Sequence, residues 1–150
     1  MNSYSIKPVG GVPDALKRVS QVYGKEFAQN VERVLRHETR HFKSGQWLST
    51  GTAGMVAFGE SFPYGWNSLR QFADRKGLTA NDFFLKTFNK ASNGKKMTYI
   101  GFRNTGDYVE FFSWFIKEKR GGNLNAWFSL DPEDQKRYYS LWSKVTPKFV

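Results

Sequence analysis

Cysteine is absent from this 150-residue chain, and histidine occurs only twice, at His37 and His41. No disulfide framework and no thiolate metal site can therefore form, and the redox compartment is left open. No run of about 18 apolar residues is present, so the sequence offers no membrane-spanning helix. The opening "MNSYSIKPVGGVPDALKRV" has no basic segment followed by an apolar one, and it is expected not to act as a standard secretory signal. Acidic residues are scarce, 13 against 23 Lys and Arg, for a net charge of +10. A field of that sign draws the protein toward polyanions, nucleic acids and bacterial envelope polymers alike, without choosing among them. Aromatic residues are abundant, at 17% with 14 phenylalanines. With 39% hydrophobic residues this excludes a disordered chain, and the length suits one domain with a substantial core.

The pattern along the chain predicts a mainly α (α+β) fold in a single domain, residues 1–150, with an irregular arm at 1–12. Leu16, Val19 and Tyr23 share a face of a helix expected from Pro13 to Tyr23. A second helix is expected from Lys25 to Phe42, with Phe27, Val31, Val34, Leu35 and Phe42 apolar. Residues 45–66, "GQWLSTGTAGMVAFGESFPYGW", hold five glycines and a proline and read as loops with one or two short strands. A helix from Ser68 to Lys76 is stopped by Gly77. "TANDFFLKTFNKA" reads as a further helix capped by Thr79, and "MTYIGF" as a short strand. "TGDYVEFFSWFIKEK" reads as an amphipathic helix with cations in its last turn. Asp131-Pro132 opens a final helix that carries Tyr138, Leu141, Trp142 and Val145.

One pentapeptide admits two chemistries. His37-Glu38-Thr39-Arg40-His41 matches H-E-x-x-H, in which two histidines one helical turn apart hold zinc and the glutamate polarises the bound water. A catalytic zinc needs a third protein ligand, which here could only be a carboxylate. Glu60 lies 19 positions after His41, but in "FGESFPYG", where a helix is not expected. What precedes the motif is helical, with no sheet to hold a peptide.

The other reading places Val31, Leu35 and Glu38 in one row, at i, i+4 and i+7, facing the core. A carboxylate that ends an apolar row is desolvated, so its pKa rises and it can donate a proton near neutrality. Glycosidic bond cleavage requires such a donor. The cations Arg33, Arg36, Arg40 and Lys43 on the same helix oppose this shift.

"VERVLRHETRHF" followed by a polar loop and "GTAGMVAF" resembles lytic transglycosylases and other members of the lysozyme superfamily. In these, a Glu followed by Ser or Thr ends a helix, and a Gly-Leu-Met-Gln turn follows. Glu38-Thr39 corresponds to the first element and Gly54-Met55, sixteen positions past Glu38, to the second; Val56 stands where the family has Gln. "YIGFRNTGDYVEFFSWFI" is similar to a segment of bacterial and phage β-N-acetylglucosaminidases, through Phe102, Arg103, Thr105, Asp107, Tyr108 and Phe112.

The resemblance implies a lysozyme-like domain that cuts the β-1,4 glycan backbone of peptidoglycan without metal or cofactor. Glu38 would be the general acid, and Glu60 is the candidate second carboxylate. Thr39, Gly54, Met55, Tyr64, Trp66 and Tyr108 are the expected substrate-binding residues. Aromatic rings such as Tyr64 and Trp66 suit the apolar faces of sugars. The expected partners are peptidoglycan strands and, through the basic surface, other anionic envelope polymers. An endolysin or virion protein of a bacteriophage or prophage, monomeric or within a virion assembly and acting in the periplasm, fits the expected lack of a signal peptide. Two other classes stay open. One is the zinc peptidase. The other is a basic nucleic-acid-binding or structural virion protein, for which "FLKTFNKASNGKKMTYIGFR" interleaves cations with aromatics.

Overall fold

The most apolar stretch of the chain becomes its centre. In the computed structural model, which describes residues 11–89 and 94–150, Thr105–Lys119 forms a helix that is buried on every face from Gly106 to Ile116. The expectation of an amphipathic helix is corrected here, because helices and loops surround this one on all sides. Asn104 caps it, its side chain accepting from the Asp107 N–H.

Around it, in chain order, lie α1 (Val12–Tyr23), α2 (Lys25–Thr39), α3 (Gly45–Thr50) and α4 (Asn67–Lys76), with the central helix as α5 and a last helix, α6 (Pro132–Trp142). α1 packs on both α2 and α5, α4 on α5, and α6 on α2. Gly11 is the N-cap of α1 and Val12 already belongs to it; residues 1–10 of the expected N-terminal arm lie outside the described residues. Gly77 ends α4 in the left-handed conformation, as expected of a C-terminal glycine. Asp131 caps α6 with Pro132 in its first turn.

Three expectations are overturned. α3 occupies part of the stretch read as loop; at six residues it is too short to show a period, yet Ser44 caps it and Gly51 ends it. α2 stops at Thr39, short of Phe42. The stretch from Phe83 is a strand and no helix. β1 (Phe83–Asn89) pairs antiparallel with β2 (Lys96–Phe102), in a register running from Phe83 opposite Phe102 to Asn89 opposite Lys96. Thr79 does act as a cap, but of the single 3₁₀ turn Ala80–Asp82. What decides for the strand is a cross-strand partner that local pattern cannot reveal. Phe84 lies opposite Gly101, and its ring fills the space where a Cβ of residue 101 would sit, 2.3 Å away.

Residues 55–57 run beside β2 as a short third segment. Ile100 N–H donates to Met55 O at 2.7 Å, Ala57 N–H to Thr98 O at 2.9 Å, and Val56 bridges Tyr99. The "GMVAF" stretch is thereby fixed to the sheet.

Two buried ionic groups tie the helices together. Under α5, Lys76 bonds Glu110 and lies 3.5 Å from Asp107, while Arg18 lies 3.5 Å from Glu110. On α2, the fully buried Glu32 accepts from Arg36 Nε at 2.7 Å and from the backbone N–H groups of Lys148 and Phe149, at 2.6 and 2.9 Å. Each buried charge meets a cation or N–H dipoles, without which burial would be prohibitive.

Candidate active site

The end of α2 departs from ordinary backbone. Arg40, His41 and Phe42 follow one another with φ of 50°, 59° and 66°. A left-handed turn of side-chain-bearing residues costs about 1–2 kcal/mol per residue. Thr39 offsets part of this. Its hydroxyl donates to Leu35 O at 2.6 Å and accepts from Phe42 N–H at 2.8 Å, and its carbonyl accepts from Lys43 and Ser44. Thr39 is fully buried, so the expectation that it contacts substrate is corrected: it holds the turn that follows Glu38.

Glu38 occupies the last turn of α2. Solvent reaches its side chain, yet protein encloses the carboxyl enough that burial raises its pKa above the usual carboxylate value of 4.5. The carbonyl end of the helix disfavours negative charge in the same sense. The opposing cations expected from the sequence do not prevail. Arg36 turns inward to Glu32 and stacks over the rings of Phe42 and Phe149, and Arg40 has left the helix.

Tyr108, on α5, approaches Glu38. Its ring is fully buried against Trp47, Phe102 and Phe112. The hydroxyl is held well above the usual tyrosine range, chiefly by burial and further by the negative charge of Glu38, with the nearby Ala53 backbone acting in the opposite direction. No well-formed hydrogen bond satisfies that hydroxyl among the described residues. The buried Gln46 Nε2 is also without a hydrogen-bond partner among the described residues, and it packs on Gly54, where a Cβ would stand 3.4 Å from it. Gly54 has φ of +101°, a conformation suited to glycine. The Tyr108 hydroxyl thus faces the Ala53 backbone and Gln46 Nε2 faces Gly54, on consecutive residues of one loop.

From Gly54 the surface continues into a recess of about 260 Å³, walled by Val56, Phe58, Trp66, Phe115, Arg120 and Trp127 among others. Trp66 is positioned by its indole N–H, which donates to Val56 O at 2.8 Å. Phe58 stacks on it at 6.2 Å and 28°. Gly65 makes that stack possible, since a Cβ there would lie 2.8 Å from the Phe58 Cβ.

The other expected residues fall differently. Met55 is fully buried and acts through its backbone bond to β2, so its side chain contacts no substrate. Tyr64 is buried edge-on to Phe62, with φ of 61° and a hydroxyl pKa raised by burial; it supports the wall from behind. Glu60 is exposed, and no ion pair or hydrogen bond among the described residues ties it to Glu38. The structure thus sets Gly54 and Trp66 in one recess and Tyr108 close to Glu38; Tyr108 is fully buried, so the expectation that it contacts substrate is corrected, and it acts from beneath the surface. Gln46, Phe58, Arg120 and Trp127 were not expected. Phe58 reaches Trp66 by a turn that the glycines and proline of residues 59–65 allow, whereas Arg120 and Trp127 come from a distant part of the chain.

The zinc geometry loses its premise at the same point. With α2 ending at Thr39, His41 has left the helix on which a two-histidine site depends. Its Nδ1 lies 3.5 Å from Arg36 Nη1. Among the described residues no group of three or more His, Cys, Asp or Glu side chains converges as a metal site. Among those residues too, no helix is long and apolar enough to cross a membrane.

Neither protein-family models, nor curated proteins, nor solved structures yield a match to this chain.

Proposed function

We propose that the protein is a glycosidase that cleaves the β-1,4 glycan backbone of bacterial peptidoglycan, with Glu38 as general acid. The observation that carries this reading is a solvent-reachable carboxyl whose pKa burial raises, close to Tyr108 and so to the Ala53–Gly54 loop that leads into an aromatic recess. The wall of tryptophan and phenylalanine matches the apolar faces of pyranose rings.

In this mechanism Glu38 gives its proton to the departing glycosidic oxygen as the C1–O bond breaks and positive charge grows at C1. The resulting Glu38 carboxylate then removes a proton from the incoming hydroxyl, either of water or of the sugar's own 6-position. The second course needs no other carboxylate. It therefore accords with an exposed Glu60, with Asp107 and Glu110 committed to Lys76, and with Glu32 committed to the backbone of residues 148–149. A +10 protein would be steered to the anionic envelope, in keeping with a phage or prophage lysis or virion protein.

The test is release of fragments from purified peptidoglycan and clearing of permeabilised Gram-negative cells. Clearing that survives EDTA but falls roughly 10²–10⁴-fold in Glu38→Gln is expected, the usual contribution of a general acid. Mass spectrometry of the products separates hydrolysis from anhydro-ring formation. Activity abolished by EDTA and restored by zinc would instead favour the peptidase. No activity on peptidoglycan from any sample would overturn the glycosidase reading.

A further inference from the structure

One carboxylate of α2, Glu32, is completely buried and takes no part in the mechanism. Its partners show what it holds. Besides Arg36 it accepts from two consecutive backbone N–H groups, those of Lys148 and Phe149, in the irregular stretch that follows α6. The same stretch is gripped at two further points. Arg33 Nε donates to Val145 O at 3.0 Å, and Gln29 Nε2 to Val150 O at 3.2 Å. Gln29, Glu32, Arg33 and Arg36 stand at i, i+3, i+4 and i+7, so one face of α2 is given over to residues 145–150.

That grip delivers a ring to one particular place. Phe149 stacks on Phe42 with centroids 6.2 Å apart and planes at 22°. The Arg36 guanidinium, anchored on Glu32, lies 4.6 Å from the Phe149 centroid and 5.1 Å from that of Phe42. Trp47 is a further neighbour of Phe42, at 5.1 Å between centroids. Phe42 is the last of the three consecutive left-handed residues. Such backbone persists only where the surroundings hold it. Thr39 holds the turn from within, and Phe149, Arg36 and Trp47 hold its far end.

Without that hold, Arg40, His41 and Phe42 would fall to the right-handed conformation that the sequence pattern favours, and α2 would run on. Glu38 would then lie in mid-helix, away from the carbonyl end, with Phe42 four residues on and beside it on one helical face. We infer that residues 145–150 act as a strap that sets the position of Glu38, with Phe149 as the positioning residue working through Phe42. The role of Glu38 in this rests on the glycosidase reading, whereas the hold on the turn does not.

The test compares Phe149→Ala, the milder Phe149→Leu and the ring-keeping Phe149→Tyr in the full chain. Backbone carbon chemical shifts of Arg40, His41 and Phe42 report the turn without any substrate. Phe149→Ala is expected to move them from left-handed toward helical values while the shifts of α1 and α5 stay in place, and Phe149→Tyr to leave all of them unchanged. On soluble peptidoglycan fragments, kcat should fall at least roughly tenfold in Phe149→Ala, the scale on which a displaced catalytic group is felt. KM should hold, and Phe149→Tyr should restore kcat. If Phe149→Ala does not fold, Phe149→Leu, which keeps apolar bulk without a flat ring, is expected to show the same changes in smaller measure. Shifts of residues 40–42 that stay at wild-type values in the folded Ala and Leu variants overturn the strap. A turn that changes while kcat holds overturns the positioning of Glu38. Activity missing from the wild type itself overturns the glycosidase reading, and the shifts of residues 40–42 then decide the strap alone.

Discussion

Two carboxylates in this protein, Glu38 and Glu110, are raised in pKa by burial, and their surroundings differ in every other respect. Glu110 sits under α5, bonded to Lys76, with Arg18 close and Asp107 opposing. Solvent does not reach it. Glu38 has no cation among the causes of its shift and is open to solvent. Burial alone therefore does not mark a functional acid. A buried carboxylate that is supplied with cations behaves as part of the framework, whereas one that is raised, uncompensated and reachable is poised to give up a proton to something arriving from outside.

The comparison is broken most severely by Glu38→Gln, whose expected activity loss of roughly 10²–10⁴-fold should come without loss of fold, as judged by circular dichroism and the melting temperature. Lys76→Met tests the other member. It removes the cation that Glu110 and Asp107 share, leaving Glu110 with Arg18, and the expected loss is about 3 kcal/mol, read from denaturant unfolding; activity per folded molecule should hold. A Lys76→Met protein as stable as wild type would show that the cluster is not framework. Thr39→Val removes the hydroxyl that bridges Leu35 O and Phe42 N–H. It should cost about 1–3 kcal/mol, with an additional fall in activity as Glu38's supporting turn relaxes.

The smallest effect is the most discriminating. A carboxyl whose folded pKa is raised contributes stability that is fully present below its unfolded value, here 4.5, and lost as pH rises through the folded value. Glu38→Gln should therefore melt slightly higher than wild type at neutral pH, with the difference vanishing below about pH 4. Activity should follow the same titration, falling as Glu38 deprotonates at higher pH. A neutral-pH melting temperature lowered by Glu38→Gln would make Glu38 a framework residue like Glu110.

Much of this was legible in the chain, for identifiable reasons. α1, α4, α5 and α6 are marked by their own punctuation: Pro13, Gly77, Asn104 and Asp131-Pro132. The row Val31, Leu35, Glu38 pointed to the carboxyl, and "FPYGW" pointed to Trp66. What local pattern misjudged depends on partners far along the chain. β1 looked helical because Gly101, which receives the Phe84 ring, lies 17 residues later. Thr39 and Met55 were read as facing substrate because a motif gives identity without direction; both point inward. Arg120 and Trp127 join Phe58 and Trp66 only when α5 is in place, so no window of sequence contains the recess.

The helix that carries Glu38 is also fastened, through Glu32, to the backbone of Lys148 and Phe149, with Gln29 Nε2 adding a bond to Val150 O. A chain synthesised from its N-terminus makes α2 early but supplies these N–H groups only at residues 148–149. Until then Glu32 would be a buried charge with Arg36 as its one partner. The inner face of α2 is thus completed last, by the backbone of residues far along the chain, and its final seating waits on their synthesis.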